Sequence, residues 1–288
     1  MTNIELSFPA NLITELFKKN DITSILNIAD QNIFFETIDL EGCNPLHLAC
    51  IYGYDSLIEP FLNLGADINS INHAGDTSIN LSILLNHLNI TNILLKYNPD
   101  LSIADINGDT PLHKASRRDY DHKSIPLIQS LITHGANINC QNNFGDLPLH
   151  SSSLDTIDIF QHYFELGINL NSQNHAGTTI LHTACQNGYL DLVNFLITKK
   201  VDIDLQDKNG HTPLHLCAIY AQNDIAQLLV QNHANLYLLN KNNVTPLDLS
   251  IHFKYPKITQ LLQTYDNYLK INTALKRQSL STAKKMKI

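Results

Sequence analysis

The chain contains fourteen histidines and five cysteines, residue types that bind metal ions or act as general bases. Five of these histidines end Thr-Pro-Leu-His or a tetrapeptide that differs from it at one position: they are His47, His113, His150, His182 and His215. Zinc ligands must all lie about 2 Å from one ion, whereas equivalent residues on neighbouring packed helices lie about 8–10 Å apart. We therefore predict a structural role for these histidines, and no metal site.

No other arrangement typical of catalysis is found in the sequence. It has no His-Glu-x-x-His, no Cys-x-x-Cys, no phosphate-binding glycine loop and no Gly-x-Ser-x-Gly elbow. Cys50, Cys185 and Cys217 fall at small-residue positions of a helical pattern, which favours buried, reduced thiols in a reducing compartment. We predict no catalytic residue and no cofactor, and hence that the protein is not an enzyme.

The tetrapeptide that contains these histidines recurs about every 33 residues, and this period indicates a solenoid of stacked repeats. A glycine precedes most copies, and an apolar helical run follows each of them. Segments such as Gly65-Ala66-Asp67-Ile68-Asn69 close the repeat, because glycine suits the left-handed residue after a helix end. Each copy is therefore predicted to form two short helices, a turn and a protruding hairpin.

This pattern resembles the ankyrin repeat, and the resemblance covers residues 39–262. It predicts an all-α ankyrin-repeat solenoid of stacked helix-turn-helix units with short β-hairpin or loop connections. Seven repeats are expected, starting near residues 39, 72, 105, 142, 174, 207 and 240. The resemblance implies a curved stack whose first helices and hairpin tips line a concave face for a protein partner. It also implies a structural hydrogen-bonding role for the recurring histidines.

The sequence departs from this pattern in two repeats and at both ends. The second repeat has Thr77-Ser78-Ile79-Asn80 without the histidine, and the third has four extra residues around Arg117 to Lys123. Open ends of a solenoid need caps. We predict N-terminal capping helices in residues 1–38, a C-terminal capping helix extension in residues 263–275, and a basic flexible tail in residues 276–288.

Residues that do not pack the stack are free to contact a partner. Near the ends of the first helices these are large, aromatic or basic: Ile51, Tyr52, Leu84, Leu85, Arg117, Arg118, Tyr120, Ile219, Tyr220, His252 and Phe253. Such residue types dominate interface hot spots. The hairpin tips supply further candidates, among them Leu40, Ile106 and Phe144. Asp76, Asp109 and Asp146 occupy one position in three successive repeats and predict an acidic line beside the two arginines.

The charge is unevenly distributed along the chain. Residues 1–269 carry a net charge of −14, whereas residues 270–288 carry +6. An acidic body argues against nucleic acid as the main partner, because phosphate binding needs a basic face. No apolar stretch is long enough for a membrane span and no signal peptide is apparent. We expect a cytoplasmic monomer.

The two ends leave several interpretations open. Phe8-Pro9-Ala10-Asn11-Leu12 resembles the start of an F-box, which would imply recruitment to a ubiquitin ligase, but the interval that follows is short and a capping unit is favoured. The two basic clusters near the C-terminus resemble a bipartite nuclear import signal, and Ser279 lies in a possible phosphorylation site for a basophilic kinase. The same segment resembles the export address of bacterial type IV effectors.

These observations predict a non-enzymatic scaffold or adaptor that binds a partner protein on the concave ankyrin face. In this interpretation it is a bacterial effector that acts in the cytosol or nucleus of a host cell. The alternative is an enzyme or a ubiquitin-ligase-recruiting effector whose activity lies in the non-repeat ends.

Overall fold

The computed structural model describes residues 10–29, 35, 39–117, 124–154 and 156–285. The chain divides into two compact units, Met1–Ser153 with Asp158–Tyr163, and Leu154–Ile157 with Phe164–Ile288. The described residues contain no β-strand, although one isolated antiparallel bridge joins Ile71 and Thr77. In chain order the helices are α1 Ala10–Lys18, α2 Ile22–Ala29, α3 Pro45–Tyr52, α4 Asp55–Asn63, α5 Ser78–Leu84, α6 Leu88–Lys96, α7 Pro111–Ser116, α8 Ser124–Thr133, α9 Ile157–Glu165, α10 Ile180–Asn187, α11 Leu190–Thr198, α12 Pro213–Tyr220, α13 Asn223–Gln231, α14 Pro246–His252 and α15 Pro256–Lys285.

In the first unit, helix pairs stack side by side. The first helices α3, α5 and α7 pack in sequence, while α4 packs on α6 and α7 packs on α8. Helices α1 and α2 precede the first repeat and pack against α3 and α4. The third residue of each tetrapeptide in this unit is fully buried, as Leu46, Ile79 and Leu112 show, so this position forms the core of the stack.

The second unit repeats this arrangement with α10, α12 and α14 as its first helices. Helix α10 packs on α12 and α12 packs on α14, while α11, α13 and α15 form the second layer. The thiols of Cys185 and Cys217 are buried and free, as the sequence predicted for this position. The predicted all-α solenoid of paired helices is therefore confirmed.

The tetrapeptide residues cap the N-terminus of the first helix in a repeat, as α12 shows. Thr212, in the N-cap position of α12, has an extended backbone, and its side chain accepts a hydrogen bond from the backbone N–H of His215. Pro213 follows at the first helical position, where the missing N–H is no loss and the fixed φ suits a helix. At the other end of α3 and α10, Gly53 and Gly188 adopt the left-handed conformation. Ala221 takes the same conformation after α12, with φ 58°.

The fourth repeat departs from the predicted pair of helices. In place of a first α-helix it has one 3-10 turn, Pro148–Ser151. Leu147 stands where other copies have Thr or Asn, and an apolar side chain cannot cap a helix. Ser151, Ser152 and Ser153 follow, and serine competes with the backbone for hydrogen bonds inside a helix.

The last helix is much longer than the other second helices. Helix α15 begins at Pro256 and continues to Lys285. It therefore includes both the predicted cap extension and the first ten residues of the segment that we predicted as a flexible tail. Residues 257–288 contain neither glycine nor proline, so no helix-ending residue follows Pro256. In the described part of the chain, no helix has both the length and the apolar character that crossing a membrane requires.

Candidate protein-interaction surface

The recurring histidines hold the stack together by hydrogen bonds. In each copy, Nδ1 accepts the N–H of the N-cap residue, as His113 does from Thr110 at 3.2 Å. On the other side, Nε2 donates to a carbonyl of the next hairpin, at 3.0 Å for His113 and Asp146. His47, His182 and His215 repeat this pattern with the carbonyls of Ser70, His211 and Val244.

Burial lowers the pKa of His47, His113 and His182, and that of His215 to about 4. Desolvation disfavours the charged imidazolium and outweighs the nearby carboxylates. These rings are therefore neutral and are committed to the scaffold. Among the residues with described structure, no group of three His, Cys, Asp or Glu side chains is placed to hold a metal ion.

The hairpin tips of the first six repeats are each closed by an Asp or Asn side chain and a glycine, and Asn243 replaces the glycine in the seventh. In the third repeat, Asp105 Oδ1 accepts the N–H groups of Asn107 and Asp109 at 2.8 and 2.9 Å. Gly108 has φ +78°, and a Cβ there would lie 2.7 Å from the backbone nitrogen of Asn143. Glycine is thus required both by the turn and by the close approach of the next hairpin.

Successive tips are joined by backbone hydrogen bonds, which we call the tip ladder. In the first unit, His73 N–H donates to Glu41 O at 2.9 Å, Ile106 N–H to Ala74 O at 3.0 Å, and Asn143 N–H to Asn107 O at 3.0 Å. In the second unit, Lys208 and Lys241 donate to Ala176 and Asn209 in the same way. The side chains at the tips therefore project from a backbone row with a fixed spacing.

A buried ion network braces the hairpins of the second and third repeats. Lys114 Nζ lies 2.9 Å from Asp76 Oδ1 and 2.7 Å from Asp105 Oδ2, and all three side chains are almost fully buried. Burial alone would lower the pKa of Lys114, but hydrogen bonds and charge from Asp105 and Asp76 raise it. Burial would likewise raise the pKa of Asp105, but the hydrogen bond from Lys114 and those from its own turn lower it. Lys114 is therefore a charged cross-brace, which the sequence analysis missed.

A second charged group continues this network into the fourth repeat. Arg117 Nη2 lies 2.7 Å from Asp109 Oδ2, and Asn142 Nδ2 donates to Asp109 Oδ1 at 2.8 Å. Asp109 is 2% exposed, whereas the side chain of Arg117 is 55% exposed. The expected exposed acidic line is thus corrected: Asp76 and Asp109 are buried counter-ions, because Lys114 of the next repeat pairs with Asp76 and Arg117 of the same repeat pairs with Asp109. Asp146 is half-buried.

Apolar side chains project from the same part of the first unit. Leu40, Ile106 and Phe144, at the hairpin tips, are 92%, 68% and 61% exposed. Leu84 and Leu85, at the end of α5, are also exposed. We call these five residues together with Arg117 the front surface of the first unit. It combines apolar anchors with one arginine held by a buried carboxylate.

The remaining residues that we predicted to bind a partner differ in how far their side chains are exposed. Ile51 is half-buried, and so is Tyr52, which packs on Phe17 and Tyr54 with ring centroids 6.0 and 5.9 Å away. Tyr52 is therefore partly used by the N-terminal helices.

In the second unit, Tyr220 is exposed, while Ile219 beside it is half-buried. His252 and Phe253 are exposed and contact one another edge to face. Arg118 and Tyr120 lie outside the described residues. Ser279 lies within α15, but its side chain is outside the described part.

The comparisons with known proteins agree with this geometry. A family model described as ankyrin repeats in three copies matches residues 46–125, 85–174, 120–207, 152–238 and 181–274. Ankyrin repeat protein OPG189 of variola virus is 32% identical over 151 residues, which are 48% of this chain and 25% of that protein. The B-cell lymphoma 3 protein homolog of Mus musculus is 29% identical over 121 residues, or 40% of this chain and 26% of that protein.

The chain thus spans about a quarter of the length of these relatives. Among solved structures, the ankyrin repeat domain of Bcl-3 matches with a TM-score of 0.66 and 22% identity, over 77% of this chain and 99% of that domain. The match to Bcl-3 shows the shared fold, and the family model covers most of the sequence. The chain therefore belongs to the ankyrin-repeat family.

Proposed function

We propose that this protein is a scaffold or adaptor that binds a partner protein through the front surface of the first unit. Ankyrin repeats are generally protein–protein interaction modules, and their fold is typically non-enzymatic. The observation that carries the proposal is the exposure of three large apolar side chains, Leu40, Ile106 and Phe144, on the hairpin tips of the first, third and fourth repeats. Exposing large apolar side chains on three hairpin tips does not stabilise the folded chain, whereas their burial by a partner would favour binding.

The charged network supports the same use of this surface. Lys114 joins carboxylates of the second and third hairpins, and Asn142 joins the fourth hairpin to Asp109, the partner of Arg117. The tips beside these residues are therefore held in place before a partner arrives. A surface that is ordered in advance loses less conformational entropy on binding. Arg117 keeps more than half of its side chain exposed, so it can also contact the partner directly.

The chain itself provides substitutions that should leave the hairpins intact. Lys208 and Lys241 occupy the tip position of Ile106 in later repeats, and Asn107 and Asn209 occupy that of Phe144. The double variant Ile106→Lys and Phe144→Asn therefore uses side chains that this hairpin already accepts. Lys241→Asn, at a tip of the second unit, is the matched control.

The test is affinity capture from a eukaryotic lysate with quantitative mass spectrometry. We expect a reproducible partner with the wild type and with Lys241→Asn, and at least a tenfold loss with the double variant. Circular dichroism and the melting temperature should not change. A partner that the double variant retains at the wild-type level would show that the front surface is not the binding site.

We further propose that the protein works as an effector in the cytosol or nucleus of a host cell. The relatives that support this role are ankyrin repeat proteins of variola virus and fowlpox virus. An enzyme whose activity lies in the non-repeat ends is the competing class. It draws support from the tyrosine-protein kinase HTK16 of Hydra vulgaris, which matches over 17% of its own length. Turnover of a substrate by the purified chain would show that the protein is an enzyme.

A further inference from the structure

The hairpin tips of the second unit carry basic side chains, unlike the apolar tips of the front surface. At the tip position that Leu40 and Ile106 occupy in the first unit, the last three repeats have His175, Lys208 and Lys241. All three side chains are exposed. We call these three residues the basic tip row.

The hairpins that carry the basic tip row share one set of backbone hydrogen bonds. In each of them, the side-chain oxygen of the residue before the tip accepts the backbone N–H groups two and four residues later, at 2.8–3.2 Å. These residues are Asn174, Asp207 and Asn240. The tip ladder joins Lys208 N–H to Ala176 O at 2.8 Å and Lys241 N–H to Asn209 O at 2.9 Å. Because the three turns are alike, their tip side chains leave the backbone in the same direction.

The two lysines of this row are not used by the fold. Within the residues that the structure describes, the ammonium groups of Lys208 and Lys241 have no ion pair and no hydrogen bond. The carboxylate of Asp207 is held in its own turn, and that of Asp248 caps α14 by accepting from Thr245. Helices α10 and α12 contain no acidic residue. The positive charges at the tips are therefore available to an acidic partner.

The spacing of the row favours one conformation of that partner. Equivalent residues of neighbouring repeats lie about 8–10 Å apart. A chain in the polyproline II conformation points a side chain in the same direction every third residue, over about 9.3 Å. A β-strand does so every second residue, over about 6.6–6.8 Å. One acidic side chain per repeat therefore fits a polyproline II segment and does not fit a strand.

We propose that the basic tip row is a second docking site, which takes an extended acidic segment of a partner protein. Carboxylates at every third residue of this segment would lie against Lys241, Lys208 and His175 in turn. DNA matches the sign of the charge, but it carries one negative charge per about 1.7 Å of helix axis. Residues 1–269 have a net charge of −14, so the body repels DNA more strongly than a segment with one charge per repeat.

The test uses the full chain and two synthetic peptides of twelve residues with the same composition. One repeats Glu-Pro-Pro four times, and the other has its four glutamates in a row. Exposed ion pairs are individually weak, so amide chemical shifts in an NMR titration are the suitable readout. For the periodic peptide we expect saturable shifts centred on the amides of His175, Lys208 and Lys241. Its Kd should be at least threefold lower than that of the other peptide, and should rise with salt.

Variants of the chain with equal net charge locate the binding site. Lys208→Asn with Lys241→Asn removes the lysines of the row, and Asn143 occupies the same tip position in the fourth repeat. This variant should raise the Kd of the periodic peptide at least fivefold.

The matched control is Lys254→Asn with Lys257→Asn. These exposed lysines lie after α14 and at the start of α15, at the other end of the first helix from the hairpin, and the second repeat has Asn86 and Asn89 in their positions. The control should leave the Kd of the periodic peptide unchanged.

Several results would overturn the proposal. Equal binding of the two peptides would show that net charge alone attracts them, and an equal Kd in the tip and control variants would place the binding elsewhere. Stronger binding of a helical peptide with glutamate at every seventh residue would assign the row to a helix, and stronger binding of a single-stranded oligonucleotide would assign it to nucleic acid. Self-association in analytical ultracentrifugation that the tip variant abolishes would assign it to a second copy. The row lies in the second unit, so the Ile106 and Phe144 variants of the first unit test a separate proposal.

Discussion

Asn80 is a buried amide at the position where five other repeats have a hydrogen-bonded histidine. Its side chain is fully buried, and neither Oδ1 nor Nδ2 has a hydrogen-bond partner. The amide is too short to bridge the N-cap residue and the next hairpin, as His113 does at 3.2 and 3.0 Å. We predict that Asn80→His stabilises the protein, because Nδ1 would accept the N–H of Thr77 and Nε2 would donate to the carbonyl of Asp109.

The size of the gain follows from three contributions. Two new hydrogen bonds contribute about 1 kcal/mol each, and relief of the unsatisfied amide contributes about 1–3 kcal/mol. The larger ring costs about 1–3 kcal/mol where the surrounding side chains must adjust. We expect a net increase of about 1–2 kcal/mol in the free energy of unfolding, which corresponds to about 2–8 °C in Tm for a protein of this size.

Urea unfolding followed by circular dichroism would measure this gain as a higher midpoint with an unchanged slope. The reciprocal variant His47→Asn recreates the arrangement of Asn80 in the first repeat and should lose about 2–3 kcal/mol, because it gives up two hydrogen bonds. The prediction would be refuted if His47→Asn is destabilised but Asn80→His has an equal or lower midpoint. In that case the second repeat would lack more at position 80 than the hydrogen bonds of a histidine. If neither variant changes the midpoint, the histidines do not hold the stack.

Three further predictions concern the scaffold. The pKa of His215 is about 4 in the folded protein and about 6.5 in the unfolded chain. The neutral His215 ring therefore contributes its full share of the free energy of unfolding above pH 6.5, and this contribution is lost as the pH falls towards 4. About 3 kcal/mol of the pH-dependent loss should therefore disappear in His215→Asn, as measured by urea unfolding from pH 7 to 4. Lys114→Met should cost about 3–5 kcal/mol, because two carboxylates remain buried without their base, and adding Asp76→Asn should restore part of it; a loss below 1 kcal/mol would contradict the brace. Ala221→Gly should raise the free energy of unfolding by about 0.5–1 kcal/mol, because it relieves a left-handed alanine, whereas Gly188→Ala should lower it, since the new Cβ would lie 2.9 Å from Gln222 Oε1.

The features that the sequence predicted well are those that depend on neighbouring residues. Thr212 and Pro213 start a helix by contacts within four residues, and the period of the pattern follows from their recurrence. The same logic explains the missing first helix of the fourth repeat, because Leu147 cannot cap it, although we did not draw that conclusion from the sequence.

The features that the sequence did not predict depend on contacts between residues of different repeats. Lys114 reaches Asp76 across 38 positions of sequence, and only the stacked geometry shows that they meet. Asp109 was expected at the surface and is instead buried, because Asn142 of the next repeat donates to it at 2.8 Å and Arg117 pairs with it. The length of α15 was underestimated because the basic segment was interpreted by its charge, and not by its lack of helix-ending residues.

The tip ladder limits how this protein can vary its recognition surface. Each rung joins the amide of one tip to the carbonyl of the tip before it, as in Ile106 and Ala74. An inserted residue in a tip would break two rungs, whereas an exchanged side chain would break none. In the sequence, the four extra residues of the third repeat fall between α7 and α8, and not in a hairpin tip. Diversification of binding should therefore proceed by substitution at the tips and by length changes between the helices.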